Sequence, residues 1–257
     1  FVNPLLKRKA YIWWNFPVSD YVRDRLLLGA VYGNGTDIDD DISAFISNPM
    51  EHAEASKIAL FSIADYAWNM DAYKSDASWR RAVRYLMPGH AAALQVFASH
   101  NSDLGGNEHD FRREESEQIR PALERLLDAY CREGKREVAA ASAVTEECER
   151  MIASADLLLA SDEYPALIKE ISPWLMQFKL LGEFGREVLC MLAAQCDGKK
   201  TELEKAASHA KALQVLMKKI DATYNQNGFQ PGVKTGSCHL KPAFDRLYQE
   251  VVQRTGK

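Results

Sequence analysis

The chain is 257 residues long, with 47% hydrophobic and 26% charged residues, a formal net charge of −4 and a pI near 5.9. That length can bury a sizeable core, and the composition is that of a globular protein. The charge balance gives neither the basic stripe of a nucleic-acid binder nor the acidic run of a disordered tail. Apolar runs such as 26–31 and 156–160 fall far short of the ~20 residues of a membrane span, so no membrane partner is expected.

The opening FVNPLLKRKA has no signal-peptide architecture and no initiator methionine, which suggests excision from something longer. Residues 9–16 (KAYIWWNF) are aromatic and β-branched and read as a strand ending at Pro17. Alternation would place one of Trp13 and Trp14 inward and the other outward. About thirty loop-rich residues follow, with Gly29, Gly33, Gly35 and an acidic group at Asp37, Asp39, Asp40 and Asp41. That group imitates a calcium loop, but position six would be Ile42 and position twelve Asn48, so a solvated acidic loop is the better reading. Phe45 and Ile46 mark a second short apolar stretch.

From residue 49 helical spacing takes over. Asn48-Pro49-Met50-Glu51 reads as a cap and first turn, opening a helix over 49–69 with Ala55, Ile58, Ala59, Ser62, Ile63 and Tyr66 on one face. His52, one turn in, reads as a structural hydrogen-bonding residue. A further helix starts near Asp76 and is broken at Pro88-Gly89. The polar stretch HNSDLGGNEHD (100–110) contains His100, Asp103, His109 and Asp110, whose spacing fits no standard zinc site. FRREESEQIR (111–120) reads as a solvated, salt-bridged helix face.

Apolar stripes then follow at Ile119, Leu123, Leu126 and Tyr130; from Val144 and Cys148 to Leu159; and at Leu167, Ile171, Trp174, Leu175 and Phe178, with a kink expected at Pro173. Thr201 to Glu204 reads as a capping box, with Ala206, Ala210, Leu213, Met217 and Ile220 inward. NQNGFQPGVKTG (225–236) is a loop, and Phe244, Leu247, Tyr248 and Val251 define a last helix. Five cysteines with no CxxC spacing are not a disulfide framework, and Cys148 and Cys190 are expected to be buried thiols. One or two strands cannot form an independent sheet with a buried face, so the first part would complete a larger structure.

Several long segments resemble the C-terminal part of the family 84 glycoside hydrolases, bacterial β-N-acetylglucosaminidases related to O-GlcNAcase and sometimes described as hyaluronidases. They are YIWWNFPVSDYVRDRLLLGAVYGN, FISNPMEHAEASKIA, HNSDLGGNEHDFRREES, SPWLMQFKLLGEFG and NQNGFQPGVKT. The resemblance implies a mostly α chain: terminal strands and loops of an incomplete (β/α)8 TIM barrel over residues 1–108, then a helical bundle over 109–257. Barrel sites lie at the C-terminal strand ends, so Trp13 would wall a sugar pocket. Asn15 and Asp20 would hydrogen-bond the sugar, Asp20 at its 4- and 6-hydroxyls, and Asn48 would reach it from the next strand end.

Aromatic faces pack on pyranose C–H groups, a carboxylate accepts from two adjacent hydroxyls, and an amide both donates and accepts. Without the resemblance, Asp20 would serve as well as an N-cap for a helix beginning at Tyr21. The family's chemistry is substrate-assisted retention, in which the substrate's acetamido oxygen attacks the anomeric carbon and two adjacent aspartates assist. Those aspartates are expected upstream of WWNFPVSD. Asp39-Asp40-Asp41 is rejected as the pair because it follows the sugar-binding strand, so the chain alone is expected to be inactive. The expected partners are an N-acetylglucosamine-containing glycan or glycoprotein and the upstream barrel segment. No cofactor or metal is called for, and resemblance to bacterial relatives implies a secreted or periplasmic location. A non-catalytic helical interaction or carbohydrate-binding module is the competing reading.

Overall fold

The computed structural model describes residues 2–103 and 113–255, and these are mostly helical. A short helix, α1 (Val2–Leu6), leads into β1 (Ala10–Trp14), which pairs in parallel with β2 (Ile42–Ser47). Eight helices follow among the described residues. α2 (Ala53–Trp68), α3 (Ser75–Leu86) and α4 (Ala91–Ser99) precede α5 (Arg120–Glu133), α6 (Val138–Leu159), α7 (Pro165–Cys196), α8 (Lys200–Thr223) and α9 (Leu240–Thr255). No helix among the described residues is long and apolar enough to cross a membrane. Asn3 braces α1, its Oδ1 accepting from the Ala10 amide at 2.9 Å and its Nδ2 donating to the Asp41 carbonyl at 2.6 Å.

The predicted stripes form the core. Ala55, Ile58, Ala59, Ser62, Ile63 and Tyr66 of α2 are buried, as are Leu123, Leu126 and Tyr130 of α5 and Val144, Cys148, Met151 and Leu158 of α6. The 32-residue α7 is the spine, packed against α2, α6, α8 and α9. It runs on through Pro173. The Lys169 carbonyl, denied its amide partner there, accepts instead from Ser172 Oγ at 3.3 Å. Two glycines let neighbours approach α7. A Cβ on Gly182 would lie 3.0 Å from the Cys148 carbonyl oxygen, and one on Gly185 would lie 2.5 Å from the Phe244 ring and 2.8 Å from Cys148 Sγ.

Several local expectations are corrected. α2 begins at Ala53, not Pro49, and Asn48 is not its cap. Met50 is drawn into the core, its sulfur 3.2 Å from the Leu27 amide, which pulls residues 49–51 off a helical path. The exposed amide end of α2 is closed from a distance: Glu170 of α7 accepts from the Ala55 amide at 2.7 Å. His52 therefore precedes the helix and lies edge-on to Trp174, centroids 4.9 Å apart. Thr201 sits inside α8, whose cap residue is Lys199, so the expected capping box does not form. Cys190 is exposed, while Cys148 is buried.

The 111–120 run is not a solvated helix over its described part; α5 starts at Arg120, and Glu115 is buried. Glu115 accepts from the amides of Cys238 and His239 at 2.9 and 3.0 Å, fastening the start of α9. Beside it Ser116, at φ 59°, and Glu147 flank buried His100, at 2.8 Å from Nδ1 and 2.7 Å from Nε2. His100 thus serves as a buried polar bridge, and no metal-binding group occurs among the described residues. His109 and Asp110 lie outside them.

Two predictions follow from this packing. Gly185→Ala gains about 1 kcal/mol in helix propensity but forces a methyl into the Phe244 ring, an overpacking cost of about 1–3 kcal/mol or more. The variant should have a lower urea midpoint at unchanged m-value. Stability should also fall with pH in two stages. Burial lowers the His52 imidazole below its usual 6.5, so its contribution is intact above that value and is lost as pH falls through the depressed folded value. Burial pushes the Glu147 carboxyl up, but the His100 hydrogen bond and Arg150 outweigh it and hold the group below 4.5, so a second loss comes at lower pH. His52→Asn should flatten the first stage only, read as urea midpoint against pH.

Candidate functional site

The parallel pairing of β1 and β2 brings both C-terminal ends to the same edge, with Trp13 opposite Ile46 and Trp14 opposite Ser47. Asn15 and Asn48 are therefore neighbours one step past the strands, although 33 residues separate them in the chain. Alternation along β1 sends Trp14 toward Phe16, Phe45 and Tyr66, its ring centroid 5.5–6.0 Å from theirs, and leaves Trp13 66% exposed. The Asn48 amide closes onto the Trp14 carbonyl at 2.9 Å, and Ser47 Oγ donates to the Phe16 carbonyl at 2.7 Å. The Phe16–Pro17 peptide is cis.

Asn15 is the hub. Its Oδ1 accepts from Trp13 Nε1 at 2.8 Å and from Asn48 Nδ2 at 3.2 Å. An indole N–H can only donate, so the Asn15 oxygen must face it, and Asn48 must then present its amino group to that same oxygen. The orientation of both amides is thereby fixed. Among the described residues, the Asn15 amino group is left without an acceptor and the Asn48 carbonyl oxygen without a donor. Beside the exposed Trp13 indole, the three side chains offer a flat apolar face, a donor and an acceptor.

Asp20 lies on the loop that leaves β1. It is exposed, and its carboxylate has no hydrogen-bond partner among the described residues; only its carbonyl is engaged, by Arg23 Nε at 3.2 Å. No helix starts at Tyr21, so the N-cap reading of Asp20 is discarded: residues 20–25 form turns, with the Ser19 carbonyl taking the Val22 amide. The turns are clamped to the bundle. Trp174 Nε1 donates to the Asp24 carbonyl at 2.9 Å, the Lys234 amide donates to the same oxygen at 2.7 Å, and Asn225 Nδ2 donates to the Arg23 carbonyl at 2.7 Å. The buried Asp24 carboxylate pairs with the Lys234 ammonium. These anchoring residues were missed in the sequence. The one available signal was loop 225–236, whose Asn, Gly and Pro content marks a turn but not what it grips.

The fold agrees with the comparisons. A sequence profile described as the bacterial GH84 post-catalytic domain matches residues 115–248, and one described as beta-N-acetylglucosaminidase matches residues 1–99. The chain belongs to family 84 of the glycoside hydrolases. Protein O-GlcNAcase of Rattus norvegicus is 32% identical over 76 residues, which is 29% of this chain and 8% of the rat protein, and that of Mus musculus matches to the same extent.

Among solved structures, CpGH84D superposes with a TM-score of 0.85 at 26% identity, over 98% of this chain and 41% of that one. A mutant O-GlcNAc hydrolase of Thermobaculum terrenum superposes with a TM-score of 0.73 at 20% identity, over 99% of this chain and 50% of that one. The chain thus spans half or less of these relatives' length.

If the Asp24–Lys234 clamp positions the loop, Lys234→Met should loosen it. Removing one partner of a buried ion pair costs about 3–5 kcal/mol. Lys234 is half exposed, so about 1–3 kcal/mol is expected, confined to residues 20–28. Hydrogen exchange should quicken there while α7 and α8 keep their protection.

Proposed function

We propose that the chain is the C-terminal portion of a retaining, substrate-assisted exo-β-N-acetylglucosaminidase acting on N-acetylglucosamine-bearing glycoproteins or glycans. On this reading residues 1–108 are the last strands and loops of a (β/α)8 barrel and 109–257 the bundle behind it. The observation that carries the reading is the meeting of Asn15 and Asn48 at the C-terminal ends of two adjacent parallel strands, where barrel enzymes hold their substrates.

Each residue has work suited to a pyranose. Trp13 packs against the ring's C–H face. Asn15, its acceptor already saturated, donates to a sugar oxygen, and Asn48 accepts from a hydroxyl. The unpartnered Asp20 carboxylate accepts from the 4- and 6-hydroxyls together. Trp13, Asn15 and Asn48 are neutral and Asp20 is fully committed to binding, so none is available as acid or base. The pair that orients the acetamido group and protonates the leaving oxygen is assigned to another strand of the barrel. The chain alone is inactive on this reading.

The test has two arms. Alone, the chain should release no nitrophenol from 4-nitrophenyl N-acetyl-β-D-glucosaminide; joined to the barrel segment that precedes the corresponding region in a relative, it should. In the joined protein Asp20→Ala should lower kcat/KM about a hundredfold or more, the loss of two charge-assisted hydrogen bonds of about 1.5–3 kcal/mol each. Activity indifferent to both Asp20→Ala and Asn15→Ala would remove the reading. Tight binding of N-acetylglucosamine by the chain alone would favour a free-standing carbohydrate-binding module instead.

A further inference from the structure

The turns that carry Asp20 are fixed on both sides. Before it, Phe16, Pro17, Val18 and Ser19 are buried; after it, Asp24 is buried, and Asp20 between them is exposed. The hold on the far side comes from the bundle. Trp174 Nε1 and the Lys234 amide both donate to the Asp24 carbonyl. One residue nearer to Asp20, the Arg23 carbonyl accepts from Asn225 Nδ2 at 2.7 Å, although 202 residues separate the two. Arg23 then turns back. Its Nε donates to the Asp20 carbonyl at 3.2 Å, and its Nη1 lies 3.7 Å from Glu51, on the segment that follows Asn48. A chain of two contacts thus runs from Asn225 through Arg23 to the Asp20 peptide.

Asn225 is suited to that contact. Its Nδ2 also donates to the Gly232 carbonyl at 2.8 Å, and its own backbone carbonyl takes the Gly232 amide at 3.0 Å. With a carbonyl on each donor side, the amino group and not the oxygen must face Arg23. Its backbone sits at φ 50°, in the left-handed region that asparagine tolerates better than most residues. The neighbouring amides do other work. Gln226 Nε2 donates to the Asp221 and Tyr224 carbonyls at the end of α8. Asn227 Oδ1 accepts from the Phe229 and Gln230 amides, and its Nδ2 donates to the Gln230 carbonyl. Of these three side chains, only that of Asn225 reaches the segment after β1.

We propose that Asn225 is a positioning residue for sugar recognition: by fixing the Arg23 peptide it sets where the Asp20 carboxylate stands, and so which configuration at the substrate's 4-carbon is accepted. This role rests on Asp20 binding the 4- and 6-hydroxyls, as proposed above. A carboxylate that accepts from both must be held to within about 0.5 Å, and a misplacement of about 1 Å costs about a hundredfold in rate. The 4-hydroxyl is equatorial in the gluco sugar and axial in the galacto sugar. A carboxylate held at one point separates the two, and one free to wander does not. The bundle, which carries none of the sugar-contacting residues, thereby takes part in choosing the sugar.

Two variants remove the contact and keep the loop. Asn225→Asp preserves shape and the tolerance of φ 50° but turns an acceptor toward the Arg23 carbonyl. Asn225→Gly preserves the backbone conformation and removes the side chain. In the chain itself, both should speed amide exchange at Val22 and Arg25, which close the turns at 3.0 and 3.1 Å, while α6 keeps its protection. In the protein joined to its barrel segment, both should lower kcat/KM on 4-nitrophenyl N-acetyl-β-D-glucosaminide about ten- to a hundredfold. On the galactosaminide epimer the loss should be under about threefold, so that the preference for the gluco substrate narrows. Added to Asp20→Ala, either variant should cost no more than about twofold further, since both act through one carboxylate.

Equal losses on the two epimers, full additivity with Asp20→Ala, or unchanged exchange at Val22 and Arg25 would each overturn the proposal. The two readings fail separately. If Asp20→Ala leaves the joined protein unaffected, the sugar-binding role of Asp20 falls and that of Asn225 with it. If Asp20→Ala costs about a hundredfold and neither Asn225 variant costs anything, Asp20 keeps its role and only that of Asn225 falls.

Discussion

A chain segment that is buried yet belongs to no helix or sheet must have every backbone amide and carbonyl bonded to something else. Residues 24–31 are such a segment. Leu26, Leu27, Leu28, Ala30 and Val31 are all buried, and side chains from α2, α3, α7 and the turn between α2 and α3 bond their backbone. Trp174 and Trp79 give their indole N–H groups to the Asp24 and Leu28 carbonyls, Tyr73 gives its hydroxyl to Val31, and Ser62 Oγ takes the Val31 amide. The Asn101 carbonyl takes the Leu28 amide. Gly29 has no room for a side chain beside the Ser102 backbone, 2.9 Å from where a Cβ would stand. This lattice makes the strand pair and the bundle one structure, and it fixes the loop that carries Asp20.

The parts of the fold written in periodicity were readable. The apolar stripes of α2 and α5 through α9 fall where three-four spacing puts them, because each depends only on residues within one helix. The failures share a physical cause. Asn48-Pro49-Met50-Glu51 satisfies the local rules for a helix start, yet Met50 gains more by entering the core, and the end of α2 is capped by Glu170, 115 residues away. The charged run at 111–120 hides a buried Glu115 because its partners are amides at 238 and 239. Local composition carries no record of such distant bonds.

The candidate site was legible in kind but not in arrangement. Strand alternation predicts one outward and one inward tryptophan, and Trp13 and Trp14 obey it. That Trp13 and Asn48 would both donate to the Asn15 side-chain oxygen follows only once β1 and β2 pair in parallel at the observed register. A glycine-rich turn at 225–236 can be read from sequence, but its grip on Arg23 and Asp24 cannot.

α7 can be viewed as a beam. At about 1.5 Å per residue its 32 residues extend for about 48 Å, and its rung of amide bonding is interrupted once, at Pro173. Glu170, which holds the end of α2, stands on one side of that gap, and Trp174, which holds the Asp20 loop, on the other. The missing rung of this helix thus lies between its grip on α2 and its grip on the loop that follows β1. Flexing there would change the angle between those grips while leaving the glycine-lined half of the beam, pressed against α6 and α9, undisturbed.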